Sequence, residues 1–363
     1  MTRARNVADI IKQPFTTTLG TSNYRAGVNA GNSIASGGNF NVCLGDEAGT
    51  ALTTGDTNVA VGFEALKTED TGGANVAVGY RALLTLNNDS GSTYNTAVGA
   101  NAGSAVTTGI ANTAIGALAL DAATINNRNT AVGWSALTAF NNTSTATSDN
   151  TAIGAAAGLS LTTGTLNTLI GTLAGQNVTT GSNNCLVGYS VETPAVDTAQ
   201  VIGLGMSITT QAANNFTFGF GSTDSNIAFG ATSISAPSDE RYKEDIADST
   251  AGLSFIKDLR PVTFKWKKEK DVPSDHKAYV ADSDDRVMQS QGETNHGFIA
   301  QEVKTAIDNH SEIKDGFDMW SADPTDGRQR LGAGALVPIL VKAIQEQNAL
   351  IEALTARVAT LEG

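Results

Sequence analysis

Short apolar triplets recur along the first two thirds of the chain, each between an asparagine and a glycine. The shared motif is Asn, any two residues, then Val, Ile or Leu, then Gly. It begins at nine asparagines: Asn41, Asn58, Asn75, Asn95, Asn112, Asn129, Asn150, Asn167 and Asn184. Successive copies are 17 residues apart, except for one interval of 20 and one of 21. This self-similarity predicts a β-solenoid over residues 41–237, with one coil in each repeat.

Each repeat predicts a short strand followed by a tight turn. In a unit such as Asn112–Gly116, alternate side chains point inward, and they are small or β-branched. The glycine adopts backbone conformations that most residues avoid, and the asparagine can bond to backbone groups and form a ladder between coils. The longer intervals insert polar residues at 87–92 and 141–147, which predicts loops on one face. We expect the phenylalanine-rich stretch 215–230 to cap the stack.

A single coil buries almost nothing, so a solenoid with a thin core of Ala, Val, Ile and Gly depends on stacking. So thin a core favours several chains packed side by side. The Asn-x-[Ala/Leu]-[Val/Ile]-Gly unit resembles the head repeat of trimeric bacterial adhesins, a left-handed β-roll whose three chains pack around one axis. The period of 17 is longer than theirs. The resemblance implies a homotrimer.

A heptad pattern occupies residues 337–363 and predicts a coiled coil. Its seam consists of Val337, Leu340, Ile344, Gln347, Ile351, Leu354, Val358 and Leu361. β-branched residues that alternate with Leu favour dimers, so the expected trimer depends on the repeat and on resemblance, with Gln347 as a polar layer. A seam near the chain end lets subunits meet before the non-local β-stack forms.

The charge density changes abruptly at Ser238. Residues 1–237 contain 20 charged side chains and residues 238–363 contain 39, which indicates a domain boundary. The net charge of −13 argues against nucleic acid and anionic membranes as partners. No apolar run suits a signal peptide or a membrane span, and Cys43 and Cys185 fit no metal or redox spacing. We therefore predict no cofactor, no metal, and synthesis in a reducing cytoplasm.

Residues 1–40 precede the first repeat and are expected to attach the protein to a larger assembly. Residues 4–12 can form a short amphipathic helix, with Val7, Ile10 and Ile11 on one face, that ends before Pro14. An extended terminus is the alternative, and the sequence leaves both open.

Ser238 and Lys243 form a candidate catalytic pair. A serine hydroxyl needs a base, and a neutral lysine amine serves when desolvation or nearby positive charge lowers its pKa. Lys243 lies five residues after Ser238, so a turn must bring the amine to the hydroxyl. Attack on the preceding carbonyl would give an ester that water then opens. Because this spacing is common in proteins, the pair alone does not indicate catalysis. The prediction depends on the surrounding sequence.

Four stretches supply that context: Ser238–Ile246, Leu259–Trp266, His296–Val303 and Leu336–Gln347. In them, residues 238–363 resemble the C-terminal intramolecular chaperone auto-processing domain of phage tail spikes and tail fibres. The chain departs from that pattern at 331–335, where family members tend to have a more polar or aromatic strand. The resemblance implies a small α+β domain, ending in the coiled-coil helix, that templates a trimer and then cleaves itself off.

Carried over to this chain, the cleaved bond is Pro237–Ser238, with Ser238 as nucleophile and Lys243 as base. The activity would be that of a single-turnover serine endopeptidase. Asp239 is a supporting candidate that could orient the loop or simply cap the following turn. His296 could donate a hydrogen bond to the developing oxyanion or satisfy the fold, and both roles stay open.

These patterns together predict a virion protein, a phage tail fibre or appendage. It would be mainly β, a trimeric solenoid followed by the chaperone domain, and joined through its N-terminus to tail or baseplate proteins. Its other expected partner is a host-surface glycan or protein receptor, contacted through outer-face residues such as Phe63, Glu64, Tyr80, Arg81, Trp134 and Tyr189. One alternative is a trimeric bacterial surface adhesin. Another is a glycan-degrading tailspike, which needs paired carboxylates beside a groove, whereas the repeat has few and scattered ones.

Overall fold

The computed structural model describes residues 20–362 except for 90, 145–146, 289–291, 315–316 and 324–326. The helix predicted over residues 4–12 lies outside the described residues. The chain forms two compact units, whose boundary falls between Asp239 and Glu240.

The first unit is a single sheet of thirteen strands within the described residues. The strands are β1 (Tyr24–Ala26), β2 (Val42–Leu44), β3 (Val59–Val61), β4 (Val76–Val78), β5 (Thr96–Val98), β6 (Thr113–Ile115), β7 (Thr130–Val132), β8 (Thr151–Ile153), β9 (Thr168–Ile170), β10 (Cys185–Val187), β11 (Val201–Met206), β12 (Asn215–Phe220) and β13 (Ser225–Ala228). Strands β1 to β12 pair in parallel, each with the strand of the next coil. The prediction of a mainly β solenoid is confirmed.

The sheet is longer than the nine motif copies at both ends. Strand β1 lies within the predicted attachment segment and pairs with β2, one coil earlier than the first copy. Asn23 and Gly27 hold the motif positions there, and Ala26 replaces the larger apolar residue. At the other end β13 turns back antiparallel to β12, in the phenylalanine-rich stretch for which a cap was predicted.

A ladder of asparagines runs through the unit. Each side-chain oxygen accepts the backbone N–H of the residue at the same position in the next coil, as Asn95 Oδ1 does from Asn112 N at 3.0 Å. The same contact joins Asn112 to Asn129 at 3.0 Å and Asn129 to Asn150 at 3.1 Å. These asparagines are buried. Because buried backbone N–H groups need partners, the ladder supplies an acceptor that the turn itself does not provide.

The strand-ending glycines stack directly on one another. Gly116 has φ +130°, and a Cβ built on it would lie 2.4 Å from the carbonyl oxygen of Gly133 in the next coil. A side chain is therefore excluded twice, by the backbone conformation and by the neighbouring coil. This explains why the motif requires glycine.

Among the described residues of the first unit, one carboxyl side chain is buried in an otherwise apolar position. Glu69 is fully buried, at the place in its coil that Leu52 and Leu86 occupy in the neighbouring coils. Its carboxylate accepts the N–H of Gly72 at 2.6 Å and of Asn88 at 3.3 Å. Burial raises the pKa of Glu69, and the two backbone hydrogen bonds oppose that rise.

The second unit is a small α+β domain. Its elements are α1 (Leu253–Asp258), β14 (Val262–Phe264), β15 (Asn295–Gly297), α2 (Ala300–Asn309), β16 (Trp320–Ala322), β17 (Gln329–Leu331) and α3 (Leu336–Glu362), with 3-10 turns at Glu240–Tyr242, Glu269–Asp271 and Ala333–Ala335. Strands β14 and β15 pair antiparallel, as do β16 and β17. Phe255, Val303 and Met319 lie in its core.

Helix α3 covers the stretch predicted as a coiled coil and presents two different faces. Leu336, Ile339 and Ala343 are buried in the domain core, and Glu346 accepts the N–H of Leu253 at the start of α1 at 2.8 Å. The predicted seam lies elsewhere on the helix and is exposed, from Val337 (59%) to Leu361 (78%). No helix within the described residues is long and apolar enough to cross a membrane.

Candidate functional site

The candidate cleavage site lies in a surface stretch that follows the sheet. Asn226 and Ser235 form the last bridge before it, exchanging backbone hydrogen bonds of 2.8 Å in both directions. From Ala228 to Thr250 every residue is exposed except Asp239, which is half-buried. Pro237 and Ser238 therefore sit in irregular backbone that solvent reaches.

A single turn follows Asp239. The 3-10 helix Glu240–Tyr242 ends where the N–H of Lys243 donates to the carbonyl of Glu240 at 3.0 Å. A fully extended chain would span about 17 Å over the five residues from Ser238 to Lys243, and a 3-10 turn shortens that path. The backbone therefore turns between Glu240 and Lys243, and the catalytic roles of Ser238 and Lys243 remain predictions.

His296 belongs to a different local structure. It lies at the centre of β15, directly opposite Thr263 of β14, and its side chain is exposed. In β14, next to Thr263, Phe264 packs edge-on against Trp266, with ring centroids 5.3 Å apart. The assignment of His296 to oxyanion stabilisation remains a prediction.

His310 has a role that the sequence did not reveal. Its Nε2 lies 2.9 Å from Asp258 Oδ2 at the end of α1, and its Nδ1 lies 2.9 Å from Glu312 Oε1. The ring also packs edge-on against Phe255, with centroids 5.3 Å apart. Hydrogen bonds to Asp258 and Glu312 raise the pKa of His310. The cluster joins the ends of α1 and α2.

The outer aromatic residues occupy one column of the solenoid. Phe63, Tyr80, Trp134 and Tyr189 each follow the glycine that ends a strand, and they are 44–59% exposed. Phe63 and Tyr80 stack at 5.8 Å and 10°. The guanidinium of Arg81 lies 5.0 Å from the Tyr80 ring centre.

Glu64 holds two cationic side chains in place beside this stack. It accepts hydrogen bonds from Arg81 Nε and Lys67 Nζ, both at 2.7 Å. These two bonds are the main reason that the pKa of Glu64 is lowered. The result is a preformed aromatic and polar surface on one corner of the solenoid. Within the described residues, no group of three or more His, Cys, Asp or Glu side chains could hold a metal ion.

Comparison with known proteins addresses the second unit. Residues 238–312 match the model of the family Peptidase_S74, described as chaperone of endosialidase. The matched region contains the first three of the four sequence stretches and the candidates Ser238, Lys243 and His296; the fourth stretch, in α3, lies beyond it. The chain thus combines a β-solenoid with a region similar to an autoproteolytic intramolecular chaperone. No curated protein and no solved structure matches the chain.

Proposed function

We propose that this protein is a phage tail fibre or appendage subunit whose C-terminal domain templates assembly of a homotrimer and then cleaves itself off at Pro237–Ser238. The observation that carries the proposal is the family match, which begins at Ser238 itself and directly follows the solenoid. The exposed stretch around Pro237 also supports it, because a peptide bond in irregular surface backbone is accessible to chemistry.

In the proposed reaction, Ser238 Oγ attacks the carbonyl carbon of Pro237 while the neutral amine of Lys243 accepts the hydroxyl proton. The Pro237–Ser238 C–N bond breaks, and the departing nitrogen takes that proton, which leaves an ester between Pro237 and Ser238 Oγ. Water then adds to the ester carbonyl and the C–O bond breaks. The products are a carboxylate on Pro237 and a chain that begins with the free amine of Ser238.

The exposed seam of α3 supports the assembly part of the proposal. Seven apolar seam residues are 41–78% exposed: Val337, Leu340, Ile344, Ile351, Leu354, Val358 and Leu361. The first two turns of α3 are held in the domain core through Leu336, Ile339 and Ala343, and the seam remains for helices of other copies. Three parallel copies would thereby be aligned at their C-terminal ends.

Host-surface binding is the proposed purpose of the solenoid. The aromatic column with its fixed Glu64 and Arg81 supports it, because exposed Tyr and Trp provide rigid contact area with little loss of side-chain entropy. Attachment to the tail through the N-terminal segment belongs to the same proposal.

The test is a denaturing gel of the purified wild type and of variants at the two candidate residues. Wild type should give fragments of about 24 and about 13 kDa, if the 37.3 kDa chain divides in proportion to its residues before and after the cut. Ser238→Ala and Lys243→Ala should each give the intact chain. The matched controls Ser233→Ala and Lys277→Ala, also at exposed positions, should cleave like wild type.

Two results would contradict the chemistry. Cleavage in Ser238→Ala would exclude that serine as the nucleophile, and cleavage in Lys243→Ala would exclude that amine as the base. The N-terminal residue of the smaller fragment, read by mass spectrometry, should be Ser238. Any other terminus would place the cut elsewhere.

A further inference from the structure

The outer face of the parallel sheet forms two uncharged columns. In strands β2 to β10 the middle residue is buried, and the first and third residues point outward. Every outward residue of these nine strands is Val, Ile, Leu, Thr or Cys, so the face has no charge. Its most exposed members include Val98 (36%), Ile115 (39%), Ile153 (39%) and Ile170 (36%).

A parallel sheet with an uncovered apolar face is unusual. Parallel sheets are normally covered on both faces, and large exposed apolar patches on soluble proteins are characteristic of interaction sites. Within the described residues from β2 to β10, every charged side chain lies outside the strands, as do the ion pairs Arg81–Glu64 and Arg128–Asp149. The sequence thus keeps charge off the sheet over nine successive coils.

We infer that this face is the surface on which copies of the chain pack against one another, an inference that rests on the proposed homotrimer. An uncharged, flat face of aliphatic and hydroxyl side chains is complementary to a second copy of itself. Nine strands about 4.8 Å apart, each three residues or about 10 Å long, give it a planar area of roughly 400 Å², about half of the ~800 Å² that one partner contributes to a stable interface.

The repetition of this face has a consequence for assembly. A shift by one coil, about 4.8 Å along the stack, exchanges one β-branched residue for another and preserves most contacts. Only the first column changes character, from Val at 42, 59 and 76 to Thr in the next five strands and Cys185 in β10. The face therefore holds copies together but discriminates poorly between registers. Alignment must come from outside the sheet, and the proposed role of the C-terminal domain supplies it.

The test compares two isoleucines of one coil in the full chain, in a Ser238→Ala background that keeps the chain whole. Ile115, in the third position of β6, is 39% exposed, and Ile110, in the turn before that strand, is 37% exposed. Because the seam of α3 also joins the copies in this background, the readout is the thermal stability of the trimer, and Ile115→Asp should lower its melting temperature. Ile110→Asp, the matched control, should melt like the background protein. Trimers of normal stability in Ile115→Asp would overturn the inference.

The native cysteines provide a second readout. Cys185 lies in the first column and is half-buried in the single chain, whereas Cys43 is fully buried inside the solenoid. A thiol reagent should label Cys185 more slowly in the assembled background protein than in Ile115→Asp, while Cys43 stays unlabelled in both. Labelling of Cys43 in Ile115→Asp would mean that this variant is misfolded. In that case, the labelling rate of Cys185 in the assembled background protein is compared with its rate in the urea-unfolded chain, and that comparison tests the inference. Equally fast labelling of Cys185 in those two states would overturn the inference.

The outcomes separate this inference from the proposed function. If the Ser238→Ala background protein sediments as a single chain, the proposed homotrimer is wrong, and both proposals fail together. If Ile115→Asp forms a trimer of unchanged melting temperature, and Cys185 reacts as fast in the assembled protein as in the unfolded chain, only the assigned face is refuted.

Discussion

The asparagine ladder offers a direct test of what stabilises the solenoid, and Asn112→Ala is the variant that isolates it. The side chain of Asn112 donates to the Asn126 carbonyl at 2.7 Å and to Asn95 Oδ1 at 3.2 Å. Its oxygen accepts the N–H of Asn129 at 3.0 Å and the side-chain amide of Asn129 at 3.2 Å. Alanine removes all four hydrogen bonds at a position that is 2% exposed.

The magnitude follows from the groups left behind. The Asn129 N–H and the Asn126 carbonyl lose these partners in the interior, and each unsatisfied buried polar group costs about 1–3 kcal/mol. We expect a loss of about 2–6 kcal/mol in the free energy of unfolding, a large fraction of the ~5–15 kcal/mol typical of a domain. At ~2–4 °C per kcal/mol, the melting temperature should fall by about 5 °C or more.

The assay is thermal unfolding followed by far-ultraviolet circular dichroism at one protein concentration. Asn32→Ala is the control, because Asn32 is exposed and accepts only a long hydrogen bond from Ser33 at 3.4 Å. The control should melt with wild type. Equal melting temperatures for Asn112→Ala and Asn32→Ala would refute the view that the ladder stabilises the coils.

Three further predictions concern single positions. Gly116→Ala should destabilise the solenoid by several kcal/mol, because strain of about 1–3 kcal/mol adds to a collision with the next coil, as melting curves would show. The stability of wild type relative to Glu69→Gln should rise as pH falls towards the ordinary glutamate pKa of 4.5, measured by melting curves, because a raised folded pKa favours folding only while the carboxyl is protonated. His310→Gln should abolish a loss of stability of the second unit that wild type shows as pH rises above the ordinary histidine pKa of 6.5, measured by urea unfolding.

The controls for these variants use the same chain. Gly221→Ala changes a glycine with φ +53° and nothing within 4 Å of its added Cβ, so a similar loss there would mean that collision is unimportant at Gly116. A pH-independent difference between Glu69→Gln and wild type would show that the buried carboxyl does not titrate on unfolding. An unchanged pH profile in His310→Gln would show that the hydrogen bonds of His310 to its two carboxylate partners do not cause the pH dependence of stability.

The repeated strands could be predicted from sequence because each coil solves the same local problem with the same residues. The motif is incomplete in coils that replace one of these residues. Strand β1 has Ala26 where the motif demands a larger residue, and β11 begins with Val201 where the other coils have asparagine. The ladder nevertheless continues there, since Val201 N donates to Asn184 Oδ1 at 3.2 Å. Backbone pairing, once propagated, no longer requires the full motif.

Contacts between distant residues were beyond prediction for a different reason. His310 meets Asp258 across 52 positions, and the spacing of neither residue indicates that α1 and α2 end side by side. Glu69 likewise occupies a core position that its charge alone would exclude, and only the Gly72 and Asn88 amides explain it. The Ser238–Lys243 pair was predicted from its sequence context and stays a prediction.

The most direct test of the central claim is assembly of residues 1–237 made without the C-terminal domain, compared with the full chain under the same conditions. Sedimentation velocity would measure the fraction of protein in a single trimeric species as a function of time. The account predicts that the full chain forms this species completely, while residues 1–237 remain monomeric or form mixed, misaligned assemblies. Equal speed and completeness of assembly without residues 238–363 would contradict it.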